Sequence, residues 1–188
     1  MKWSENQIAA ALCRQVFQNK HLIVVPNCSW PGSECDLLVV TRDLRIIDVE
    51  IKISRSDFRA DAKKEKWFEH WKGDWATPFE QRVREKRKWP HKVWKHYYAM
   101  PKDIWTDDLL DAMPSQASGV LLLSEPNQEL AMRIIGRKEG SGLVVRVKKP
   151  AKPCRDADKL HAGDAIDIAR LASLRMWDAY DKLRKMES

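Results

Sequence analysis

A stretch of ten residues, Arg45 to Ser54, constrains the fold of this chain more than any other. It reads RIIDVEIKIS, so apolar side chains alternate with polar ones: Ile47, Val49, Ile51 and Ile53 against Asp48, Glu50, Lys52 and Ser54. Successive side chains of a β-strand point to opposite faces of the sheet. The stretch therefore predicts a strand with one face in the core and one polar face. We expect Asp48, at the start of the strand, to be exposed.

The segments on either side of this strand predict an α/β fold. Helical spacing of apolar residues after Ser4 indicates a first helix, and a second helix is predicted over residues 54–71. Predicted strands cover residues 21–25, 35–41, 45–54, 96–100, 119–125, 130–136 and 142–149. We expect a mixed central sheet in the order α-β-β-β-α-β, flanked by helices. The expected division is a main domain at 1–150, a linker at 151–163, and a C-terminal helix at 164–188 that packs on the domain or on a partner.

The composition favours a compact protein without a membrane segment. Its 188 residues are 44% hydrophobic and 32% charged, which suits a folded domain better than a disordered chain. No stretch approaches about 18 consecutive apolar residues, and the N-terminal MKWSENQ lacks the apolar run of a signal peptide. The four cysteines show neither a CxxC pair nor a metal-ligand spacing. We therefore expect a protein of the reducing cytoplasm.

Positive charge concentrates in the segment from Arg55 to Lys95. This segment holds 13 Lys or Arg residues against 7 Asp or Glu residues and accounts for most of the net charge of +7. Its most basic stretch contains a single acid, Glu85, and comprises Arg82, Arg84, Lys86, Arg87, Lys88, Trp89 and Lys92. Phosphate contacts supply most of the sequence-independent affinity for nucleic acid, and an exposed Trp stacks on unpaired bases. The stretch therefore predicts contact with DNA, and a solvated protein surface is the alternative.

The polar face of the predicted strand has the chemistry of a metal site. Glu50 and Lys52 share this face, and a hairpin with the preceding strand would bring Asp36 beside Glu50. Two adjacent carboxylates repel each other unless a cation lies between them or one of them is protonated. Carboxylate ligation suits Mg²⁺, with Mn²⁺ as a substitute, and Lys52 would orient the attacking water or stabilise charge on a phosphate. The alternative is a surface salt bridge between Glu50 and Lys52, worth about 0–1 kcal/mol and requiring no function.

The same residues resemble the motif of a nuclease superfamily. Asp36, followed after thirteen residues by Glu50-Ile51-Lys52, is similar to the PD-(D/E)XK pattern, with Cys35 in place of the proline. The segments SRSDFRADAKK, HYYAMPKDI and GVLLLSE are similar to those of the MmcB-like DNA-repair proteins, and more loosely to archaeal Holliday-junction resolvases. The resemblance covers roughly residues 5–135.

The resemblance implies a restriction-endonuclease-like core and a Mg²⁺-dependent nuclease that hydrolyses DNA in repair, recombination or phage DNA processing. It implies that Asp36, Glu50 and the backbone carbonyl of Ile51 bind the metal, and that Lys52 is the catalytic cation. Two supporting residues follow from the same resemblance: Glu5 on the first helix as a further acid of the site, and Ser54 as a hydroxyl behind the ligands. The second hypothesis is an inactive nuclease fold that binds nucleic acid and recruits a partner. The C-terminal helix would contact that partner or a second copy of the chain.

Overall fold

The computed structural model describes residues 3–17, 21–69, 76, 78, 84–126 and 143–187. The helices in these ranges are α1 (Glu5–Leu12), α2 (Arg55–Ala60) and α3 (Ala162–Glu187). The strands are β1 (His21–Cys28), β2 (Cys35–Thr41), β3 (Ile46–Ile51), β4 (Val93–Pro101), β5 (Gly119–Ser124) and β6 (Val144–Lys149). A π-helical turn follows α1, and short 3₁₀ turns follow α2 and β4.

The described strands form a mixed sheet in which neighbours in sequence are also neighbours in space, in the order β1 to β6. β1, β2 and β3 pair antiparallel, β3, β4 and β5 pair parallel, and β6 is antiparallel to β5. Parallel pairing of β3 with β4 requires a crossover connection, which begins with α2. The prediction of an α/β fold with a mixed sheet and a C-terminal helix is confirmed. The restriction-endonuclease-like core stays a prediction.

Three predicted elements differ from the observed ones or lie outside them. The helix after β3 ends at Ala60, and two short 3₁₀ turns follow it, separated by the extended backbone of Lys64 (φ −66°, ψ 142°). β4 begins at Val93 rather than at residue 96, and it runs through Pro101. The strand predicted at 130–136 lies outside the described residues. The first difference accompanies a tertiary contact: the turns after α2 place the ammonium groups of Lys64 and Lys66 against Glu50 of β3, as described below.

Both faces of the sheet are covered. α1 packs on an apolar cluster that contains Val49 and its alternate neighbours along β3. The opposite face carries two further apolar clusters, one beneath α3 and one beneath α2 and the turns after β4. Asp48 and Glu50 lie between these two clusters, because their partners in the ladders include Leu38 and Tyr98 respectively. The alternation predicted for β3 is therefore confirmed, and its polar face points into the protein.

Residues 151–161 of the segment predicted as a linker lack helix and strand but pack along the sheet, and α3 begins at Ala162 rather than at residue 164. Leu160 is buried, and its amide donates to the carbonyl of Leu44 at 2.7 Å. α3 follows, with Ile168 buried against the cluster that includes Val25 of β1. The Arg175 guanidinium donates to the Asn27 carbonyl at 2.6 Å. These contacts hold the first half of α3 against the main domain.

The second half of α3 exposes large apolar side chains: Met176, Trp177, Tyr180, Leu183 and Met186. Within the described ranges, no helix combines the length and the apolarity that crossing a bilayer requires. Association with a second copy or another protein through this half of α3 stays a prediction.

We expect Gly119→Ala to lower the free energy of unfolding by about 1–3 kcal/mol, the usual cost of overpacking. A Cβ at Gly119 would lie 2.4 Å from Cε1 of Tyr97 and 2.6 Å from the backbone nitrogen of Ala151. Gly163→Ala is the matched control, because no atom lies within 4 Å of its added Cβ and alanine favours the helix. Urea unfolding of both variants measures the difference. Equal midpoints would contradict the close packing around Gly119.

Candidate functional site

A mixed group of acidic and basic side chains, most of them buried, lies at the inner polar face of β3. We call it the charged cluster: Asp36, Asp48, Glu50, Lys52, Asp61, Lys64 and Lys66. Asp48, Glu50, Lys52 and Asp61 are at most 2% exposed, and Lys66 is 8% exposed. Buried charges are tolerated when they are paired and hydrogen-bonded, and the contacts below pair most charges of this cluster, although Oδ1 of Asp48 and Oδ1 of Asp61 are buried without a hydrogen-bond partner.

Glu50 accepts hydrogen bonds from three ammonium groups. Its Oε1 accepts from Lys66 Nζ at 2.6 Å, and its Oε2 accepts from Lys52 at 2.9 Å and Lys64 at 2.8 Å. Burial alone would raise the pKa of Glu50, but the neighbouring ammoniums, Lys66 above all, outweigh it and lower this pKa to about 2. Glu50 is therefore fully ionised near neutral pH, and the predicted pair of Glu50 and Lys52 is in contact.

Asp61 anchors the cluster from the turn that follows α2. Its Oδ1 lies 3.0 Å from Nζ of both Lys52 and Lys64. Its Oδ2 accepts hydrogen bonds from Trp67 Nε1 at 3.0 Å and from the Tyr98 hydroxyl at 2.5 Å. Despite burial, Lys66, Lys52 and the Tyr98 hydroxyl hold the pKa of Asp61 well below its usual value. Asp61 thus fixes the position of Lys52, the predicted catalytic cation.

The sequence prediction missed Asp61, although the sequence contains a signal for it. Asp57 and Asp61 are four residues apart immediately after β3, so they share one side of the helical turn that faces Lys52. Asp57 contributes the weaker contact, with its Oδ1 3.8 Å from Lys52 Nζ.

Lys66 connects the cluster to β4. Its Nζ donates to Glu50 and, at 3.2 Å, to Asp48 Oδ2, and it lies 3.4 Å from His96 Nε2. Burial, reinforced by the Lys66 charge, keeps the pKa of His96 far below its ordinary value. His96 is therefore neutral, so that Nε2 accepts from Lys66 and Nδ1 donates to the Ser118 hydroxyl at 3.0 Å.

The expectation that Asp48 is exposed is wrong, since its side chain is fully buried. α2 and the turns after it cover this part of β3 and place Lys66 against Asp48. Burial raises the pKa of Asp48, while Lys66 favours its ionised form. A polar face in the sequence therefore corresponds here to a buried polar layer.

Asp36 lies at the edge of the cluster, just beyond the end of the ladder between β2 and β3, whose last described pair is Leu37 with Val49. Its Oδ2 accepts a hydrogen bond from the amide of Ile51 at 2.6 Å. Burial and the nearby Glu50 charge raise the pKa of Asp36 to about 6. Asp36 and Glu50 thus lie close enough for their charges to interact. A role for the Ile51 carbonyl stays a prediction, since the contact at Ile51 is made by its amide.

The two supporting residues occupy different positions. Glu5 is exposed at the start of α1, which packs on the sheet face opposite Glu50. The Ser54 hydroxyl caps α2 by accepting from the amide of Asp57 at 3.1 Å. Ser54 therefore contacts the charged cluster only through Asp57, and no described contact joins Glu5 to Glu50.

The predicted DNA-contacting residues divide into anchored and exposed ones. The Arg84 guanidinium donates to the Glu69 carbonyl at 2.9 Å, and that of Arg87 donates to the Phe68 carbonyl at 3.0 Å. Both bonds support the isolated antiparallel β-bridge between Phe68 and Lys86. The exposed set is Lys86 and Lys88.

Lys88 and Lys92 each lie over the ring of a tryptophan. Lys88 Nζ lies 4.8 Å from the centre of the Trp89 ring, and Lys92 Nζ lies 4.7 Å from that of Trp30. Trp89 Nε1 donates to the Lys152 carbonyl at 3.0 Å. Arg82 lies outside the described residues.

Four of these basic residues, Lys86, Arg87, Lys88 and Lys92, border a surface cavity of about 350 Å³. Acidic side chains also line it, among them Glu69, Glu85, Asp156 and Asp158. A second cavity, of about 140 Å³, leads towards Lys66 between the β1–β2 loop, Phe68 and His91. The basic segment and the charged cluster therefore meet at this second cavity.

The acids of the cluster fit a hard metal ion by chemistry, although ammonium groups now fill the space between them. Among the residues described, no three His, Cys, Asp or Glu side chains converge into an ion-binding group. Carboxylate oxygens are nevertheless the donors that Mg²⁺ prefers. Oδ1 of Asp61 is buried without a hydrogen bond of good geometry, although two ammoniums lie near it. A divalent ion would therefore have to replace an ammonium group.

Comparison with known proteins bears on the fold alone. The chain matches no family model and no curated protein. A protein of unknown function from Silicibacter pomeroyi has a similar structure, with a TM-score of 0.53 and 16% sequence identity. The similarity covers 100% of this chain and 97% of that chain. The two chains therefore share an overall architecture over their full lengths.

Proposed function

We propose that this protein is a metal-dependent nuclease that hydrolyses DNA phosphodiester bonds. The observation that supports the proposal is the charged cluster, in which Lys52 contacts Glu50 and the charges of Asp36 and Glu50 interact. A surface salt bridge is a poor alternative, because Glu50 and Lys52 are 1% and 2% exposed. A buried set with several like charges is costly to maintain, and such clusters concentrate at functional sites.

The roles follow from the positions of the side chains. Asp36 and Glu50 would bind Mg²⁺ or Mn²⁺, which supplies charge stabilisation at the phosphate and lowers the pKa of a bound water. Lys52, held between Glu50 and Asp61, has its ammonium at a fixed position. From there it would donate a hydrogen bond to the attacking water or to a phosphate oxygen.

The exposed part of the basic segment would position the DNA backbone. Lys86 and Lys88 are exposed, and Trp89 lies among them. Lys and Arg contacts to phosphates set register and orientation without reading the sequence. We therefore infer little sequence preference from this surface, and we place the enzyme in repair, recombination or phage DNA processing.

Hydrolysis by the full chain tests the proposal. Plasmid, single-stranded and branched DNA are incubated with the protein and Mg²⁺ or Mn²⁺, and parallel reactions contain excess EDTA. We expect cleavage with either metal and none with EDTA, because the acids need a divalent ion to act on the phosphate. Absence of cleavage of all three substrates with both metals would refute the proposal.

One observation favours a second function, an inactive nuclease fold that binds nucleic acid and recruits a partner. Both oxygens of Glu50 already accept hydrogen bonds from ammonium groups, which could replace a metal permanently. This function predicts DNA binding that weakens steeply with salt, no heat of Mn²⁺ binding in calorimetry, and no hydrolysis. Calorimetry with Mn²⁺ therefore separates the two functions.

A further inference from the structure

Two ammonium groups bridge the same two carboxylate oxygens in the charged cluster. Lys52 Nζ lies 2.9 Å from Oε2 of Glu50 and 3.0 Å from Oδ1 of Asp61. Lys64 Nζ lies 2.8 Å and 3.0 Å from the same two oxygens. Negative oxygens and positive nitrogens thus alternate around a small ring. Each nitrogen occupies a position that suits a cation.

The two cation positions differ in their access to solvent. The Lys52 side chain is 2% exposed, whereas the Lys64 side chain is 45% exposed. Lys52 directly follows β3, and its amide donates to the Ala99 carbonyl at 2.9 Å, so its backbone is fixed. Lys64 is the extended residue between two 3₁₀ turns. Its strongly hydrated ammonium, on a flexible four-carbon stem, can therefore move into water.

We propose that Lys64 occupies an exchangeable cation position, from which a divalent metal ion displaces its ammonium into solvent. Glu50 Oε2 and Asp61 Oδ1 then bind the ion, and Asp61 becomes a carboxylate ligand that the sequence motif does not contain. The inference depends on the proposed function only in taking the incoming ion to be Mg²⁺ or Mn²⁺.

The charges of the cluster favour this exchange. Its four carboxyl groups face three ammonium groups, so that one negative charge is in excess when all seven are ionised. A divalent ion in place of Lys64 balances the remaining charges. Both buried lysines keep acidic partners after the exchange, since Lys66 contacts Asp48 and Lys52 Nζ lies 3.8 Å from Oδ1 of Asp57. The buried Oδ1 of Asp61, which has no hydrogen bond of good geometry to its two ammonium neighbours, becomes a ligand of the ion.

Calorimetric titration with Mn²⁺ tests the exchange. We compare the wild type with Lys64→Met, which has no ammonium to displace, and with Lys63→Met. Lys63 is the matched control because it is exposed, adjacent and equally charged. We expect Lys64→Met to bind Mn²⁺ at least tenfold more tightly than the wild type, and Lys63→Met to bind within twofold of the wild type. Equal affinities of the wild type and Lys64→Met would overturn the inference.

Acylation of lysines in the wild type provides a second readout that does not depend on a variant. An ammonium held between two carboxylates reacts slowly with an amine-acylating reagent, whereas a solvated lysine reacts at the ordinary rate. Mass spectrometry of the modified peptides should show that Mn²⁺ increases modification of Lys64 severalfold and leaves that of Lys63 unchanged. Mn²⁺ binding with constant modification of Lys64 would contradict the displacement.

The outcomes distinguish this inference from the proposed function. Metal-dependent DNA cleavage without any effect at Lys64 refutes the exchange and leaves the nuclease proposal intact. Tighter Mn²⁺ binding by Lys64→Met with no cleavage of DNA supports the exchange and refutes hydrolysis. Failure of the wild type and of Lys64→Met to bind Mn²⁺ refutes both.

Discussion

Asp61→Ala is expected to lower the free energy of unfolding by about 4 kcal/mol, because removing one partner of a buried ion pair typically costs about 3–5 kcal/mol. The variant leaves Lys52 with fewer acidic partners and deprives Lys64 of one of two. It also leaves the Trp67 indole N–H and the Tyr98 hydroxyl without their acceptor. Burial and Asp61 raise the pKa of Tyr98, so its hydroxyl stays protonated and needs an acceptor. This loss approaches the whole stability of many domains, which is about 5–15 kcal/mol.

Asp57→Ala is the matched control for this prediction. Asp57 is 45% exposed and lies 3.8 Å from Lys52 Nζ, so its loss should cost less than about 1 kcal/mol. Urea unfolding followed by tryptophan fluorescence gives both values, since Trp67 packs within the region that Asp61 holds together. If Asp61→Ala instead unfolds at the midpoint of Asp57→Ala, the buried contacts described for Asp61 are wrong.

The predictable part of the fold rests on patterns that are local in sequence. The alternation along β3 predicted a strand and identified its two faces correctly, because one face is apolar throughout. β2 was predicted with its observed ends, Cys35 and Thr41. The helix after β3 was predicted too long, since periodicity does not report that Lys64 and Lys66 must turn towards β3. These ion pairs join residues that are distant in sequence, so local propensity does not reveal them.

The predictable part of the candidate site is the face shared by Asp36, Glu50 and Lys52. Asp36, Glu50 and Lys52 were identified because a two-residue period places side chains on a known face. Asp48 was misjudged because the sequence does not show which element covers that face. Asp61 lies in the 3₁₀ turn after α2 rather than on a strand, so a two-residue period does not place it on the face of Glu50. Asp61 was therefore accessible only through the indirect signal of acids four residues apart.

Lys52→Met is expected to lower kcat/KM for DNA hydrolysis by about 10³-fold, the scale on which loss of one positioned electrostatic donor acts. Methionine preserves much of the length and the apolar contacts of the side chain but removes the ammonium between Glu50 and Asp61. These acids keep Lys64 as a partner, and Glu50 keeps Lys66 as well, so the fold should persist. Steady-state cleavage with saturating Mn²⁺ measures the loss, and unfolding curves confirm that the variant is folded.

A control variant and a measurement of metal binding show whether a loss of cleavage is due to the Lys52 ammonium itself. Lys63→Met removes an exposed positive charge from the same region and should keep kcat/KM within twofold of the wild type. Lys52→Met should still bind Mn²⁺, because the carboxylates of Asp36, Glu50 and Asp61 are unchanged. A folded Lys52→Met protein that binds Mn²⁺ and cleaves DNA at the wild-type rate would exclude Lys52 from the chemistry. Loss of cleavage together with retained metal binding would separate the role of the ammonium from that of the acids, which the proposed mechanism requires.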